Sequence, residues 1–358
     1  MANAPQAQYY IGLMSGTSLD GVDGVIVDSQ CQKIIAQTYQ PYPAELKQSL
    51  RQLTQSGQTA LSNLATIDIK VAQVFASTAL LLLKESGILA AQIIAIGSHG
   101  QTIYHHGGQY SMQIAHGALL AEQTSITTVA DFRMQDVASG GQGAPLTPLY
   151  HQHLLKNQSG VVINLGGIAN ITLLTDGLIA GFDTGPANTL LDNWINQQQS
   201  LDYDDGGLWA KSGRIDQSLL GKLLADVYFQ QQAPKSTGPE YFNLEWLTGF
   251  LTGAEPAKDV QRTLLELTIV SISKHIPNNA KVYLCGGGVR NGFLIERLIH
   301  LNPNNDIKTT DELGMHTDYV EAAAFAYFAK RTLAKKTSNL TAVTGAKSAR
   351  ILGAIYAT

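Results

Sequence analysis

The stretch GLMSGTSLDGVDGVIVD, Gly12–Asp28, sets a glycine-rich polar turn between two apolar runs. The run at 9–14 precedes the turn and the run at 22–28 follows it, a pattern that predicts two β-strands. A short connection with Asp-Gly steps is typical of a β-hairpin. The segment therefore predicts a hairpin, and it leaves open whether the turn at Gly16–Asp23 also binds a ligand.

A second strand–turn–strand unit opens the other half of the chain, where VVINLGGIANITLL at 161–174 places a Gly-Gly turn between two apolar runs. Alternating helical and strand-like patterns follow in both halves, which is typical of an α/β protein. The repeat predicts a duplicated architecture of two lobes with a cleft between them. We expect an N-terminal lobe at 9–130, a connecting and substrate-loop segment at 131–160, a C-terminal lobe at 161–358 and a flexible tail at 1–8. Part of the C-terminal helical region is expected to pack back on the first lobe.

Hydrophobic periodicity and end signals predict the remaining elements. Further strands are predicted at 33–39, 93–97, 111–114, 126–130 and 281–288. Helices are predicted at 43–56, 62–85, 117–123, 186–197, 255–274, 291–300 and 319–335. The glycine-rich stretch at 131–148 is predicted to be a long loop, and loops of that length are usually functional or disordered.

Composition narrows the class of protein. The 358-residue chain is 44% apolar, only 15% of its residues are charged, and its net charge is −4. This charge gives no electrostatic reason to expect a nucleic-acid or membrane partner. Cys31 and Cys285 are too few for a disulfide framework, the apolar run at 75–83 is too short to cross a bilayer, and residues 1–10 lack a signal-peptide pattern. We therefore expect a cytoplasmic protein.

Both polar turns have the composition of a phosphate site. Turns rich in Gly, Ser and Thr present backbone N–H groups and hydroxyls on one concave surface, and both Gly16–Gly21 and Asn164–Asn170 offer this. Asp20 and Asp23 add oxygen ligands of the kind that Mg²⁺ prefers. A plain hairpin is the better interpretation of either turn alone. Two such turns in two similar halves instead favour a bound nucleotide.

Two segments of the second half carry further candidates. GFDTGPAN at 181–188 puts Asp183 just after an apolar strand, a position where α/β enzymes keep reactive groups. Asp183 is therefore a candidate general base, with a turn or N-cap aspartate as the alternative. CGGG at 285–288 follows a strand and precedes a helix. Its glycines either leave room for a planar base or only form a tight turn.

Three polar residues elsewhere are candidates for substrate binding. His99, in GSHGQT, suits hydrogen bonding in a pocket better than metal binding, because no second cluster has ligand spacing. Arg133, in ADFR, either binds a carboxylate through its planar fork or is an exposed surface arginine. Glu321 stands in an otherwise apolar helix, where it either begins the helix or projects into a cleft.

Eight motifs in this order resemble those of the anhydro-N-acetylmuramic acid kinase family. They are GLMSGTSLDGVD, GSHGQT, ADFR, GGQGAPL, NLGGIAN, FDTGPAN, CGGG with Asn291 after it, and EAAAFA. The resemblance extends from Tyr9 to the end of the Ala-rich helix. It implies the sugar kinase, Hsp70 and actin superfamily, and thus a two-lobed actin-like ATPase fold of class α/β. Each lobe is then expected to hold a ribonuclease-H-like mixed sheet flanked by helices.

The resemblance also implies an activity. Such an enzyme uses ATP and water to open the 1,6-anhydro ring of 1,6-anhydro-N-acetylmuramic acid and to phosphorylate O6. The products are N-acetylmuramic acid 6-phosphate and ADP, formed during peptidoglycan recycling. The implied cofactors are ATP and Mg²⁺, the implied partner is the small sugar substrate, and a homodimer is among the expected assemblies.

Residue roles carry over position by position from the same resemblance. Asp183 would be the base that activates water, and Arg133 would meet the lactyl carboxylate of the sugar. His99 and Glu321 would lie near it in the sugar pocket. The carboxylate chemistry of the turn, and not the resemblance, makes Asp20 the expected Mg²⁺ ligand. The residues implied in ATP binding are Gly16, Thr17, Ser18, Leu19, Asp20, Gly21, Val22, Asp23, Gly166, Gly167, Asn170, Gly286, Gly287 and Gly288.

Two other functions stay open from the sequence. One is a non-catalytic sugar or nucleotide sensor with the same fold, and the other is a kinase for a different sugar or for a carboxylate. The intact FDTGPAN motif argues against the sensor, because a sensor has no need of a base. A serine nucleophile is disfavoured, since neither a G-x-S-x-G turn nor an S-x-x-K pair occurs.

Overall fold

The computed structural model describes residues 8–358, so the predicted tail at 1–8 lies outside the described residues except for Gln8. Every strand predicted from the sequence has a counterpart. The strands of the described residues are β1 (Tyr9–Ser15), β2 (Gly21–Asp28), β3 (Ile34–Pro41), β4 (Ile93–His106), β5 (Tyr110–Ile114), β6 (Thr128–Ala130), β7 (Gly160–Leu165), β8 (Ile168–Thr175), β9 (Leu178–Pro186), β10 (Lys281–Cys285), β11 (Asp306–Thr309) and β12 (Ala354–Tyr356).

Helices alternate with these strands, as an α/β chain requires. The predicted helices are all present, with ends that move by at most two residues. The helices of the described residues are α1 (Ala44–Ser56), α2 (Leu61–Ser86), α3 (Gly117–Thr124), α4 (Phe132–Ala138), α5 (Pro148–Leu154), α6 (Asn188–Gln199), α7 (Leu208–Ser212), α8 (Gln217–Leu224), α9 (Val227–Gln230), α10 (Leu244–Thr248), α11 (Ala257–Ser273), α12 (Gly292–Leu301), α13 (Val320–Leu333) and α14 (Thr341–Thr344).

The first compact unit runs to Leu154 and also takes in Gly314–Thr358. The strand order of its sheet is β12-β6-β4-β1-β2-β3, with β5 paired to β4. Strands β1, β2 and β3 form an antiparallel meander. Strand β4 then lies parallel to β1, and β6 lies parallel to β4. This is the mixed sheet that the resemblance implies for a lobe of the actin-like fold.

The second unit, Leu155–Leu313, repeats this topology. Its strand order is β11-β10-β7-β8-β9. Strands β7, β8 and β9 form an antiparallel meander, β10 is parallel to β7, and β11 is parallel to β10. Order and direction match those of β6-β4-β1-β2-β3. The α/β class and the repeated architecture predicted from the two polar turns are therefore confirmed.

The unit boundaries differ from the predicted ones. Residues 131–154, predicted as part of the connecting segment, belong to the first unit. So do residues 314–358, which were predicted within the C-terminal lobe with only part of the helical region packing back on the first lobe. Two contacts account for the second change. Helix α13 packs on β1 and β4, and β12 pairs antiparallel with β6. The observed division thus replaces the lobes at 9–130 and 161–358.

Three local differences have physical reasons. Strand β4 continues past residue 97 to His106, because β5 pairs with its polar second half. The stretch 131–148 contains α4, whose Phe132 is buried in the core. Helices α7 to α10 were not predicted, since each is eight residues or shorter and spans too little chain for a clear period.

Among the described residues, one helix, α2, is long and apolar enough to cross a membrane by length and composition. Its apolar character has another explanation within the unit. Val71, Phe75, Ala79 and Leu82 are fully buried in the core cluster of the first unit, and α2 packs on β2, β3 and α3. Helix α2 therefore has the contacts of a core helix.

The tightest contact in the first unit joins α13 to the middle of the sheet. Gly12 of β1 and Gly97 of β4 are register partners. A Cβ atom on Gly12 would lie 1.8 Å from the carbonyl oxygen of Ala322, and one on Gly97 would lie 1.9 Å from that of Phe325. Both glycines therefore allow the helix backbone to rest directly on the strand backbone.

The variant Gly97→Ala should lower the free energy of unfolding, by about 1–3 kcal/mol or more, because the added methyl group overlaps a backbone atom that cannot rotate away. Thermal unfolding followed by circular dichroism measures this loss. Gly221→Ala in α8 is the control, since no atom lies within 4 Å of its added Cβ, and alanine favours a helix by about 1 kcal/mol. Equal midpoints for Gly97→Ala and the native chain would contradict the close packing.

Candidate active site

The turn between β1 and β2 presents its hydroxyl groups to solvent. Thr17 and Ser18 are exposed at its tip, while Leu19 is buried and has a positive φ of 58°. The Leu19 N–H donates to the Gly16 carbonyl at 3.4 Å. The Leu19 side chain thus anchors the turn in the core. Asp20 is exposed beside the tip, where its carboxylate forms an ion pair with Lys47.

In the second unit, the turn between β7 and β8 is joined to the beginning of α6. The Gly167 carbonyl accepts from the N–H groups of Ala187 at 2.9 Å and Thr189 at 3.0 Å, and the Gly166 carbonyl accepts from Asn188 at 3.1 Å. A Cβ on Gly167 would lie 2.6 Å from the Thr189 hydroxyl. The Gly-Gly turn is therefore built for close contact with the following helix.

The CGGG segment lies against the same turn. Gly286 has a positive φ of 85°, and a Cβ there would lie 2.3 Å from the Asn164 side-chain oxygen. A Cβ on Gly288 would lie 2.7 Å from that of Leu165. These two glycines are explained by packing against β7. Gly287 has no atom within 4 Å of an added Cβ, so it borders open space.

Strand register brings three predicted polar positions of this unit together. Asn164 on β7 is opposite Asn170 on β8, and Asn170 is opposite Asp183 on β9. Side chains of directly opposite residues share one face of an antiparallel sheet. All three are partly buried. Asp183 and Asn170, predicted from separate motifs, are therefore neighbours.

Asp183 lies within β9, which corrects the prediction that it follows the end of a strand. Pairing with β8 continues as far as Pro186, so the turn and N-cap alternatives are both excluded. Its backbone N–H donates to the Lys235 carbonyl at 3.1 Å, and its carbonyl accepts from the Tyr228 hydroxyl at 2.8 Å. Its carboxylate Oδ2 accepts from the Thr237 N–H at 3.0 Å. The segment 228–237, which sequence reasoning missed, thus holds Asp183 in place.

In the first unit, the three predicted substrate residues form one cluster. His99 comes from β4, Arg133 from α4 and Glu321 from the first turn of α13. Arg133 Nε donates to His99 Nε2 at 2.9 Å, and Arg133 Nη1 donates to the Gly143 carbonyl at 3.3 Å. Phe325 closes the cluster, with its ring centroid 4.6 Å from that of His99. Arg133 is thus oriented by its neighbours and is not a free surface arginine.

Burial and charge decide the protonation of this cluster. Burial, and then the positive charge of Arg133, hold the pKa of His99 well below its usual value, so its imidazole is neutral and accepts from Arg133. Burial raises the pKa of Glu321, and Arg133 opposes that change. The cluster therefore contains the permanent positive charge of Arg133. It also contains the carboxyl group of Glu321, whose ionised form is favoured by Arg133 and disfavoured by burial.

A buried carboxylate that the sequence gave no reason to select orders the loop beside Arg133. Asp136 is fully buried, and it accepts from the Gly143 N–H at 2.8 Å, the Asn339 amide at 2.7 Å and the Thr344 hydroxyl at 2.8 Å. A Cβ on Gly141 would lie 2.2 Å from the same carboxylate. Gly141 of GGQGAPL is therefore explained by the close approach of Asp136. Its partners Asn339 and Thr344 lie 203 and 208 residues away in the chain, which hides its role from sequence reasoning.

The paired mixed sheets and polar turns place the chain in the sugar kinase and actin class that the motifs imply. The family model for anhydro-N-acetylmuramic acid kinase matches residues 8–358. The chain belongs to the anhydro-N-acetylmuramic acid kinase family.

Similar curated proteins bear the same name. One from Coxiella burnetii is 46% identical over 97% of this chain and 97% of its own length. One from Nitrosomonas europaea is 45% identical over 97% and 99%, and one from Pasteurella multocida is 46% identical over 97% and 96%. Among solved structures, component A of (R)-2-hydroxyglutaryl-CoA dehydratase from Acidaminococcus fermentans covers 91% of this chain and 99% of its own, with 13% identity and a TM-score of 0.49.

The imidazole of His99 should stay neutral in the folded protein as the pH falls through about 6.5, where a free histidine titrates, because burial and Arg133 lower its pKa. The unfolded chain then binds the proton first as pH falls. The stabilising contribution of His99 is therefore complete above about pH 6.5 and declines below it. NMR of the ring nitrogens through this pH range tests the assignment. A titration midpoint near 6.5 in the folded state would contradict the buried Arg133–His99 bond.

Proposed function

We propose that this protein is an ATP-dependent kinase that opens the 1,6-anhydro ring of 1,6-anhydro-N-acetylmuramate with water and phosphorylates O6. The products are N-acetylmuramate 6-phosphate and ADP, in the recycling of peptidoglycan fragments. Membership of the kinase family over residues 8–358 carries the proposal. A cytoplasmic location, inferred from cysteine usage and the N-terminal sequence, and a homodimer, which the resemblance implies, are parts of the same proposal.

Arg133 is the proposed receptor for the lactyl carboxylate of the sugar. A guanidinium recognises a carboxylate through two parallel N–H bonds, which a point charge cannot reproduce. His99 occupies Arg133 Nε, and the Gly143 carbonyl accepts from Nη1. These two bonds fix the plane of the guanidinium before the substrate arrives. A neutral His99 supports this role, since an imidazolium could not accept from Arg133.

Asp183 is the proposed general base. It takes a proton from the water whose oxygen bonds to C1, while the bond between C1 and O6 breaks and O6 receives the γ-phosphoryl group of ATP. Glycosidases use a second carboxyl group to protonate the leaving oxygen. Here the phosphoryl group takes that place, so one carboxylate suffices. The Thr237 N–H on Oδ2 supports the role, because it orients the carboxylate and favours its charged form.

The turn at Gly16–Asp23 is the proposed site for the phosphates of ATP, with Gly166, Gly167, Asn170 and Gly286–Gly288 as its counterparts in the second unit. Exposed Thr17 and Ser18 hydroxyls at the tip support this. No group of three or more His, Cys, Asp or Glu side chains is placed to hold a metal ion in residues 8–358. A Mg²⁺ ion needs only one or two carboxylates when phosphates and water supply its other ligands. Asp20 and Asp23 fit that requirement, and bound Mg²⁺ would neutralise phosphate charge.

The test is the formation of ADP from Mg-ATP in the presence and absence of 1,6-anhydro-N-acetylmuramate. Sugar-dependent ADP and a phosphorylated sugar in equal amounts are expected. The variant Asp183→Asn should lower this rate by about 10²-fold to 10⁴-fold, the contribution typical of a general base. Binding of ATP should stay near that of the native chain.

Asp176→Asn is the matched control, because it makes the same change of charge at an exposed position in the turn between β8 and β9. Asp176 has a positive φ of 49° that asparagine also tolerates. The control should keep the native rate. Native-level turnover by Asp183→Asn would refute the base assignment, and ADP formation that ignores the sugar would refute the proposed substrate.

A further inference from the structure

Strand β4 carries a fully buried amide, Gln101, directly beside the proposed phosphate turn. Gln101 is the register partner of Ser15, the last residue of β1 before the turn. Pairing between β1 and β4 is irregular just before this position, where Gly100 has a positive φ of 73°. A Cβ on Gly100 would lie 2.4 Å from the Ile114 carbonyl oxygen. This β-bulge re-aims the strand at residues 99–101.

Each polar atom of the Gln101 amide has two partners. Nε2 donates to the Gly16 carbonyl at 3.1 Å and to the Thr102 carbonyl at 3.2 Å. Oε1 lies 2.6 Å from the Ser15 hydroxyl and 3.3 Å from that of Tyr42. The amide is therefore completely satisfied, as a buried polar group must be.

These bonds reach both ends of the turn. Gln101 holds the carbonyl of Gly16, where the turn begins, and the Ser15 hydroxyl also lies 2.7 Å from the carbonyl of Gly21, where β2 begins. The backbone N–H of Tyr42 donates to the Asp20 carbonyl at 3.0 Å. A network of three side chains behind the strands thus fixes the backbone of residues 16–21.

We infer that Gln101 is a positioning residue for nucleotide binding. It fixes the Gly16 peptide so that the hydroxyls and N–H groups of the turn are directed towards a bound phosphate. The inference deepens the proposed function and rests on it. His99 lies two residues earlier on the same strand. Residues 99 and 101 of β4 therefore contact the cluster with Arg133 and the phosphate turn, respectively.

The chemistry of the site requires an amide at this position. A carboxylate of the same shape would place an oxygen against the Gly16 carbonyl, where Gln101 now donates. A methionine of similar length would remove the 3.1 Å hydrogen bond to that carbonyl, which would keep only the 3.4 Å bond from the Leu19 N–H. It would also remove the acceptor Oε1 beside the Ser15 and Tyr42 hydroxyls. Both changes act on the base of the turn and remove no atom that would touch the nucleotide.

The experiment compares Gln101→Glu and Gln101→Met with the native chain for the KM of ATP, the KM of the sugar, kcat and the affinity for Mg-ADP by calorimetry. We expect the KM of ATP to rise about tenfold or more, the size of one lost hydrogen bond. Affinity for Mg-ADP should fall in parallel. The KM of the sugar should stay within about twofold, because the bond between Arg133 and His99 is untouched.

Gln261→Met is the control variant, since Gln261 is also a fully buried glutamine and bonds to Asp204 in the second unit at 3.4 Å. It should lose stability without a change in the KM of ATP. If a Gln101 variant does not fold, Ser15→Ala removes the hydroxyl that spans the turn, and it should show the same selective rise.

Folded variants with a native KM for ATP, or with equal rises in both KM values, would overturn the inference. Failure of the proposed function would appear differently, as a native chain without sugar-dependent ADP formation. In that case the affinities for Mg-ADP would still test the inference, because the Gln101 variants should bind Mg-ADP more weakly than the native chain does.

Discussion

The first unit depends on direct contact between the backbone of α13 and two adjacent strands. Gly12 and Gly97 lie side by side on β1 and β4. Because neither has a side chain, the carbonyl oxygens of Ala322 and Phe325 occupy the space where a Cβ atom would otherwise lie. Any larger residue at either position would move the helix. The contact also explains the small residues Ala322–Ala324, which are buried against the sheet.

The cluster of His99, Arg133 and Glu321 follows from that contact. Because α13 lies so close to β4, the Phe325 ring reaches His99, and Glu321, one turn earlier on the same helix, comes within the electrostatic influence of Arg133. Burial then keeps His99 neutral, so that it accepts from Arg133. A packing constraint in the core thus determines the charge and orientation of a proposed carboxylate receptor.

Much of this could be predicted from the sequence, because the signals are local. The hairpins around Gly16 and Gly166 are strand–turn–strand patterns, and the helix that carries Glu321 is a run of small apolar residues. The motifs also identified His99 and Arg133, whose hydrogen bond the structure supplies. The sequence could thus identify polar residues and glycines that stand out within apolar segments.

The rest depends on contacts between residues distant in the chain. Position 97 requires a glycine because the carbonyl oxygen of Phe325 lies where a Cβ atom would be. Asp136 is held by hydrogen bonds from Asn339 and Thr344. The sequence around Gly97 or Asp136 does not indicate which distant residue it contacts. For residues 314–358, the sequence led us to expect only that part of the helical region packs back on the first lobe, and it did not give the extent of that return. Gln101 could be interpreted only after the register of β1 and β4 was known.

The central claim is that water opens the anhydro ring at C1 while O6 accepts the phosphoryl group. The most direct measurement is turnover in ¹⁸O-labelled water, with mass spectrometry of the product soon after mixing. Unlabelled product held in labelled water for the same time corrects for exchange at the reducing carbon. The account predicts one label per turnover on C1 and none on the phosphate. Label on phosphate, or a phosphorylated sugar without label at C1, would contradict it.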